Sequence, residues 1–349
     1  MYSFSPVKMA LHGEDDSSYG LEGLTPLSWA VKGGHEAVVE LLLARDDVNP
    51  NTPDVLGRTP LFIAAQEGHE GVVEMLLGRG DVNPNTASAS GETPLFVATD
   101  NGHNAVVQRL LARADVNPNT TNGFSENPLF IAAYEGHGGP VKMLLERSDT
   151  DPNTTVDGTT PLYIAALFGR EDVVKMMLER KDVDPNLPDQ RGQTPLSGAA
   201  RYGEEGIVTM LLEHTGVNPN IADNYGRTPL FAAAGGGYKG IVKMLLKRND
   251  IKPNRALYCG KTPLSEVAYV GHEGVVKMLL ERADVNTDLA DLAGETAVSR
   301  AQKNGNRVIV RLLSKRKNPI PLSHGDKSTM LRSKPSDPEW HPSKRIRRF

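Results

Sequence analysis

The chain has 349 residues, a hydrophobic fraction of 39%, a formal net charge of −4 and a single cysteine, Cys259. One cysteine leaves no partner for an intramolecular disulfide, and no apolar run reaches the roughly 18 residues of a membrane helix, so the composition predicts a soluble protein of a reducing compartment. The stretch Met1–Ala10 also lacks the apolar core of a secretory leader, which predicts a cytoplasmic location.

In chain order, a short polar segment over 1–22 comes first, and then the sequence begins to repeat itself. Thr-Pro-Leu starts at Thr25, Thr59, Thr93, Thr160, Thr194, Thr228 and Thr262, with Asn127-Pro128-Leu129 once in its place and Thr296-Ala297-Val298 as a ninth, degenerate copy. Successive copies lie 34 residues apart, apart from one step of 33 into Thr160. A period of this size is the signature of a solenoid, in which each unit buries its apolar face only by stacking on its neighbours.

The unit from Thr59 to Asn85 shows how each copy works. Thr59 suits a helix N-cap and Pro60 the first helical position, where its missing N–H costs nothing. Leu61, Ala64 and Ala65 make a narrow apolar face, and Gly68 stops this short helix in a left-handed conformation. The same glycine recurs as Gly34, Gly102, Gly136, Gly169, Gly203, Gly237, Gly271 and Gly305. Val72, Val73, Leu76 and Leu77 then form the stripe of a second helix. Asp81-Val82-Asn83-Pro84-Asn85 is turn-forming, so the connector to the next copy is predicted to be a hairpin-like finger.

These elements, Gly-x-Thr-Pro-Leu, Ala-Ala, Gly-His, Val-Val-x-x-Leu-Leu and Asp-Val-Asn, closely resemble the ankyrin repeat. The resemblance covers roughly 23–313 and implies an all-α fold, an ankyrin-repeat solenoid of about nine helix–turn–helix units joined by fingers. In style it is similar to the long arrays of filamentous fungi. The family usually places His after Thr-Pro-Leu. Here the position holds Ser28, Phe62, Phe96, Phe130, Tyr163, Ser197, Phe231 and Ser265, so ring packing is expected to replace the histidine's hydrogen bonds. The connectors also carry an extra residue, as in Asn49-Pro50-Asn51. In the last copy, Arg300, Gln302, Lys303 and Asn304 stand where apolar or small residues stood before. A C-terminal cap with a wet outer face is expected there.

The segment 314–349 carries ten Lys or Arg against three Asp or Glu, a charge of +7 that leaves −11 for the rest. Rich in proline and without apolar period, it is expected to be a disordered basic tail. Lys315-Arg316-Lys317 and Lys344-Arg345-Ile346-Arg347-Arg348 have the composition of nuclear-import or nucleic-acid contacts, although the favoured reading is a solvated tail that aids solubility or folds back on the acidic repeats. The segment 1–22 is short and polar, and Trp29 and Val31 are expected to be left without a full N-terminal cap.

Signals for chemistry do not survive the repeat register. Gly235-Gly236-Gly237-Tyr238-Lys239-Gly240 fits G-x-G-x-x-G but spans the turn between two repeat helices, whereas a dinucleotide site needs it after a strand. His35, His69, His103, His137 and His272 hold equivalent positions about 8–10 Å apart in a helix stack, too far to share one metal ion. Backbone hydrogen bonds at the inter-helix turn are their expected role. No catalytic residues, metal or cofactor are predicted, and the protein is not expected to be an enzyme.

Function is expected where the repeats vary. The resemblance implies a concave binding face built from finger tips and the ends of first helices. Read along the array, those positions turn from polar (Lys32, Gln66, Glu67, Asp100) to aromatic and apolar. Phe124, Tyr134, Glu135, Leu167, Phe168, Arg201, Tyr202, Tyr225, Tyr258 and Tyr269 are therefore the candidate partner-binding residues, since exposed rings make hot spots at low entropic cost. The sequence reads as a monomeric, non-enzymatic scaffold or adaptor for a protein partner. A nuclear regulator using the basic tail and a fragment of a larger signalling protein are the alternatives. No small-molecule substrate or membrane contact is expected, and nucleic acid is a lesser candidate.

Overall fold

The computed structural model describes residues 23–316. Among them are eighteen α-helices and no strand, only an isolated antiparallel bridge between Val156 and Thr159. No helix there is long and apolar enough to cross a membrane. Contacts divide the chain into two compact units, with the division inside the sixth repeat: the first runs to Ala199 and takes in Gly206–Val217, and the second comprises Ala200–Glu205 and Asn218 onward.

The helices are paired at the predicted spacing. They are α1 (Pro26–Lys32) and α2 (Glu36–Leu43), α3 (Pro60–Glu67) and α4 (Glu70–Leu77), α5 (Pro94–Asp100) and α6 (Asn104–Leu111), α7 (Pro128–Glu135) and α8 (Gly138–Glu146), and α9 (Pro161–Leu167) and α10 (Glu171–Glu179). There follow α11 (Pro195–Tyr202) and α12 (Glu205–Glu213), α13 (Pro229–Gly236) and α14 (Lys239–Leu246), α15 (Pro263–Val270) and α16 (Glu273–Glu281), and α17 (Ala297–Lys303) and α18 (Arg307–Ser314). First helices pack on first helices and second on second within each unit. Residues such as Val72, Val73 and Leu76 are thereby sealed from water.

The tripeptide does what its chemistry predicts. Thr59 Oγ1 accepts from the Phe62 N–H at 3.3 Å and Thr93 Oγ1 from Phe96 at 3.2 Å. Asn127 Oδ1 accepts from Phe130 at 2.8 Å, so the one Asn substitution preserves the cap. Phe62, Phe96, Phe130, Tyr163 and Phe231 are all buried, which is the expected ring packing. Where serine stands instead, its hydroxyl turns back on the cap: Ser265 Oγ donates to the Thr262 carbonyl at 3.0 Å.

Gly68 ends α3 at φ 77°, a region that disfavours any Cβ, and a Cβ there would also lie 2.7 Å from His103 Nδ1. That ring has a task. The carbonyl of Gln66 can only accept, so His103 Nε2 carries the proton and donates to it over 2.9 Å. His69, His137 and His272 reach the carbonyls of Lys32, Asp100 and Gly235 at 3.1, 3.0 and 3.1 Å. Arg170 and Asn306 do the same for Tyr134 and Tyr269. The histidines thus bond backbone as expected, but the backbone belongs to the preceding repeat's first helix, whose last carbonyls would otherwise be orphaned.

The connectors hold two further ladders. Asn85 Nδ2 donates to the Asp115 carbonyl at 2.6 Å while its Oδ1 accepts from the Asn117 N–H at 2.9 Å, so one amide joins two successive connectors. Asn51, Asn119 and Asn153 in the first unit and Asn220 and Asn254 in the second repeat the arrangement. The extra Asn-Pro-Asn residues are therefore a stitch between repeats, beyond lengthening the finger. In parallel, Arg113 Nη1 donates to the Leu77 carbonyl at 3.0 Å, and its fork grips Asp115 at 2.8 and 2.6 Å. Each such arginine satisfies the end of the previous second helix, as Arg79, Arg147, Arg180 and Arg282 also do.

The fork has a pH signature. Hydrogen bonds from the guanidinium, with its charge, hold Asp115, Asp149, Asp182 and Asp284 below the usual carboxylate range. A carboxylate depressed in the folded state adds stability that is present above its unfolded pKa, about 3.9, and is lost as pH falls through the lower folded value. The thermal midpoint is therefore expected to change little from neutral pH down to about pH 5 and to fall below about pH 4. Scanning calorimetry of the wild type against Asp149→Asn checks this, since the variant should show a shallower acid slope.

Two expectations for the ends need correction. Val31 is fully buried, because its position points between the helices of its own repeat and the next; Trp29 is open as expected, and Val38 and Leu41 of the same repeat are exposed with it. Arg300 does not lie on a wet cap face. Its side chain is 6% exposed, and it pairs with Glu266 at 3.2 Å and Asp291 at 3.4 Å. It occupies the face where earlier repeats pack Ile63, Ile131 and Ile164, and opposing charge replaces apolar contact there. Gln302, Lys303 and Asn304 are exposed as expected.

Candidate interaction surface

In the first unit, the end of α7 and the end of α9 bring Tyr134 and Phe168 together. Their ring centroids are 5.0 Å apart with the planes at 75°, an edge-to-face pair linking repeats four and five. Phe168 remains 37% exposed, while Glu135 and Leu167 are half-buried. Phe124 sits elsewhere in its repeat, at the tip of the connector, 43% exposed on a turn closed by Asn122 Oδ1 accepting from its N–H. Burial pushes the Glu92 carboxyl up, and the nearby charge of Asp100 adds to this against a hydrogen bond from Ser90.

In the second unit the aromatic side chains carry cations. The Arg201 guanidinium lies 5.9 Å from the Tyr202 ring centroid, Arg227 lies 4.6 Å from Tyr225, and Arg300 lies 4.9 Å from Tyr269. Arg227 is fixed by Asp223 at 2.7 Å, which holds it over its ring. Tyr258, 74% exposed, tops the next connector, and its N–H donates to the Tyr225 carbonyl at 3.3 Å. The Leu292 N–H donates likewise to the Cys259 carbonyl at 2.9 Å, so backbone hydrogen bonds join three successive connectors through Tyr225, Tyr258–Cys259 and Leu292. Leu292, 70% exposed, belongs with the candidates and was not predicted. A connector position-by-position comparison, in place of a search for aromatics, would have found it.

The repeats are not uniformly acidic. The first unit, from residue 23, holds 13 Lys or Arg against 25 Asp or Glu, a net of −12, while the described part of the second holds 17 against 11, a net of +6. The aromatic residues of the second unit thus stand in a basic setting. Among the described residues no group of three or more His, Cys, Asp or Glu is placed to hold a metal ion. The expected tail over 314–349 starts too early, because Ser314 ends α18 and Arg316 donates to the Leu280 carbonyl at 2.7 Å, as the equivalent arginines of earlier repeats do; the rest of the tail and the segment 1–22 lie outside the described residues.

Comparison with known proteins agrees with this arrangement. Family models described as ankyrin repeats in three copies match residues 3–86, 57–122, 95–189 and 181–256, and a single ankyrin repeat matches 259–288. No curated protein matches the chain.

Proposed function

Since the chain belongs to the ankyrin repeat family, whose repeats serve generally as protein-interaction modules, we propose that it is a non-enzymatic scaffold or adaptor that binds a protein partner as a monomer. Large apolar patches left exposed on a soluble protein mark interaction sites. Here Phe168, Tyr202, Tyr225, Tyr258 and Tyr269 stay 37–74% exposed at the variable positions, and this observation carries the reading. Rings of that kind bury much area on docking with few rotamers lost. The guanidinium groups over Tyr202, Tyr225 and Tyr269 would set orientation more than affinity.

Replacing Tyr225 and Tyr258 together by Ala should weaken capture of the principal partner at least tenfold. Tyr258 is 74% exposed, but Tyr225 is 39% exposed and lies under Arg227, so the melting temperature should fall by no more than about 3 °C, the shift that roughly 1 kcal/mol produces in a domain of this size. Unchanged binding by the double variant removes the connectors from the reading. A larger fall in melting temperature with intact binding assigns the rings to packing.

A further inference from the structure

The second helices of the second unit present a different surface. Their fifth residues are Lys243 in α14, Lys277 in α16 and Arg311 in α18, all exposed. The same position holds Glu40 in α2, Glu74 in α4, Gln108 in α6, Lys142 in α8, Lys175 in α10 and Thr209 in α12, so only the last three second helices carry an unbroken row of cations to the end of the repeats. Lys239, Lys247, Arg307 and Lys315 flank it, with only Glu273 and Glu281 interspersed, and none of the seven cations enters an ion pair among the described residues. Between α14 and α16 lies a cleft of about 220 Å³, lined by Lys243, Lys247, Leu246, Met278, Glu281 and Arg282. Arg282 is already committed to Asp284 and the Leu246 carbonyl, which leaves Lys243 and Lys247 as the cleft's available positive charges, beside the single carboxylate of Glu281.

We propose that this face binds an extended acidic peptide segment of a partner protein, with one aliphatic side chain seated in the cleft. Packed helices lie about 8–10 Å apart. An extended chain advances about 3.3 Å per residue, so carboxylates at every third residue match the spacing of Lys243, Lys277 and Arg311. Leu246 and Met278 give the cleft an apolar floor, which phosphates do not need, and no aromatic side chain lines it for base stacking. The cleft is what favours a peptide over a nucleic acid. Methionine suits such a floor because its flexible thioether adapts to more than one apolar shape.

The test uses the full chain and a fluorescent peptide of about seven residues with Glu at every third position and Leu between the first two. Binding should weaken at least tenfold in K243E/K277E/R311E, several-fold in M278S, and steadily with salt. Reversing the tail cluster Lys344-Arg345-Ile346-Arg347-Arg348 should leave it intact, as should Ala at Tyr225 and Tyr258, which separates this face from the aromatic one. An unchanged affinity in the triple variant overturns the proposal, as does equal binding of a peptide with Ala in place of Leu. Displacement by duplex DNA or phosphatidylserine vesicles at lower concentration than unlabelled peptide assigns the face to phosphate. A mass that rises with protein concentration and collapses in the triple variant assigns it to a second copy of the chain. Either result overturns the peptide.

Discussion

Replacing Arg300 by Met is expected to destabilise the second unit by about 3 kcal/mol, at the low end of the range for removing one member of a buried charge pair. The guanidinium faces Glu266 at 3.2 Å, Asp291 at 3.4 Å and Glu295 at 3.7 Å, and its Nε donates to the Ser265 carbonyl at 3.2 Å. Without it three carboxylates confront one another across a nearly dry space. The low end applies because Glu266 and Glu295 keep some contact with water and Lys303 still reaches Glu295 at 2.7 Å. The pH dependence carries the sign. For Asp291, burial alone would raise the pKa, but the N–H groups of Glu295 and Ala293 and the Arg300 charge outweigh it and leave it lowered. In the variant Asp291 loses that charge and should titrate higher, so the penalty is present at neutral pH and relieved as pH falls through its raised value. Urea denaturation at neutral and mildly acid pH should therefore show the gap between wild type and R300M narrowing. The double variant E266A/R300I, which restores the kind of contact made by Ile63 and Ile131, should recover most of the loss. An equal deficit at both pH values would mean that lost packing, and not uncompensated charge, is what matters.

Leu76→Ala is expected to cost roughly 2–5 kcal/mol in the first unit, the usual cost of deleting a buried leucine and leaving a cavity. Leu76 has no exposure to water, and α4 packs against both α2 and α6, so neither neighbour can collapse into the space without disturbing its own stripe. Leu77→Ala is the control. That side chain is only half-buried, and its carbonyl, which accepts from Arg113, is retained. Its effect should be well under half as large. Hydrogen exchange should quicken most in repeats one to three, because a repeat is supported chiefly by its immediate neighbours. Similar losses for both variants would show that the stripe is not the core.

The sequence alone determined the architecture. Thr59, Pro60 and Gly68 act within one turn of their own position, and a 34-residue period carries that local logic, with its apolar stripe, along the array. The N-caps, the turn glycines and the buried rings of Phe62, Phe96 and Phe130 are in the structure for the reasons visible in the chain. Tertiary structure decided what joins one repeat to the next. His103 reaching Gln66, Arg113 reaching Leu77 and Asn85 reaching Asp115 link residues 30–37 positions apart, and local pattern says nothing about which carbonyl lies there. The candidate site was legible as a set of residue types at variable positions, but its geometry was not. Only the fold pairs Tyr134 with Phe168, lays Arg227 over Tyr225 and joins Leu292 to the preceding connector. Arg300 marks the boundary most clearly. A charged side chain in a terminal repeat reads as solvated, and only the arrival of Glu266, Asp291 and Glu295 around it makes burial of that charge possible.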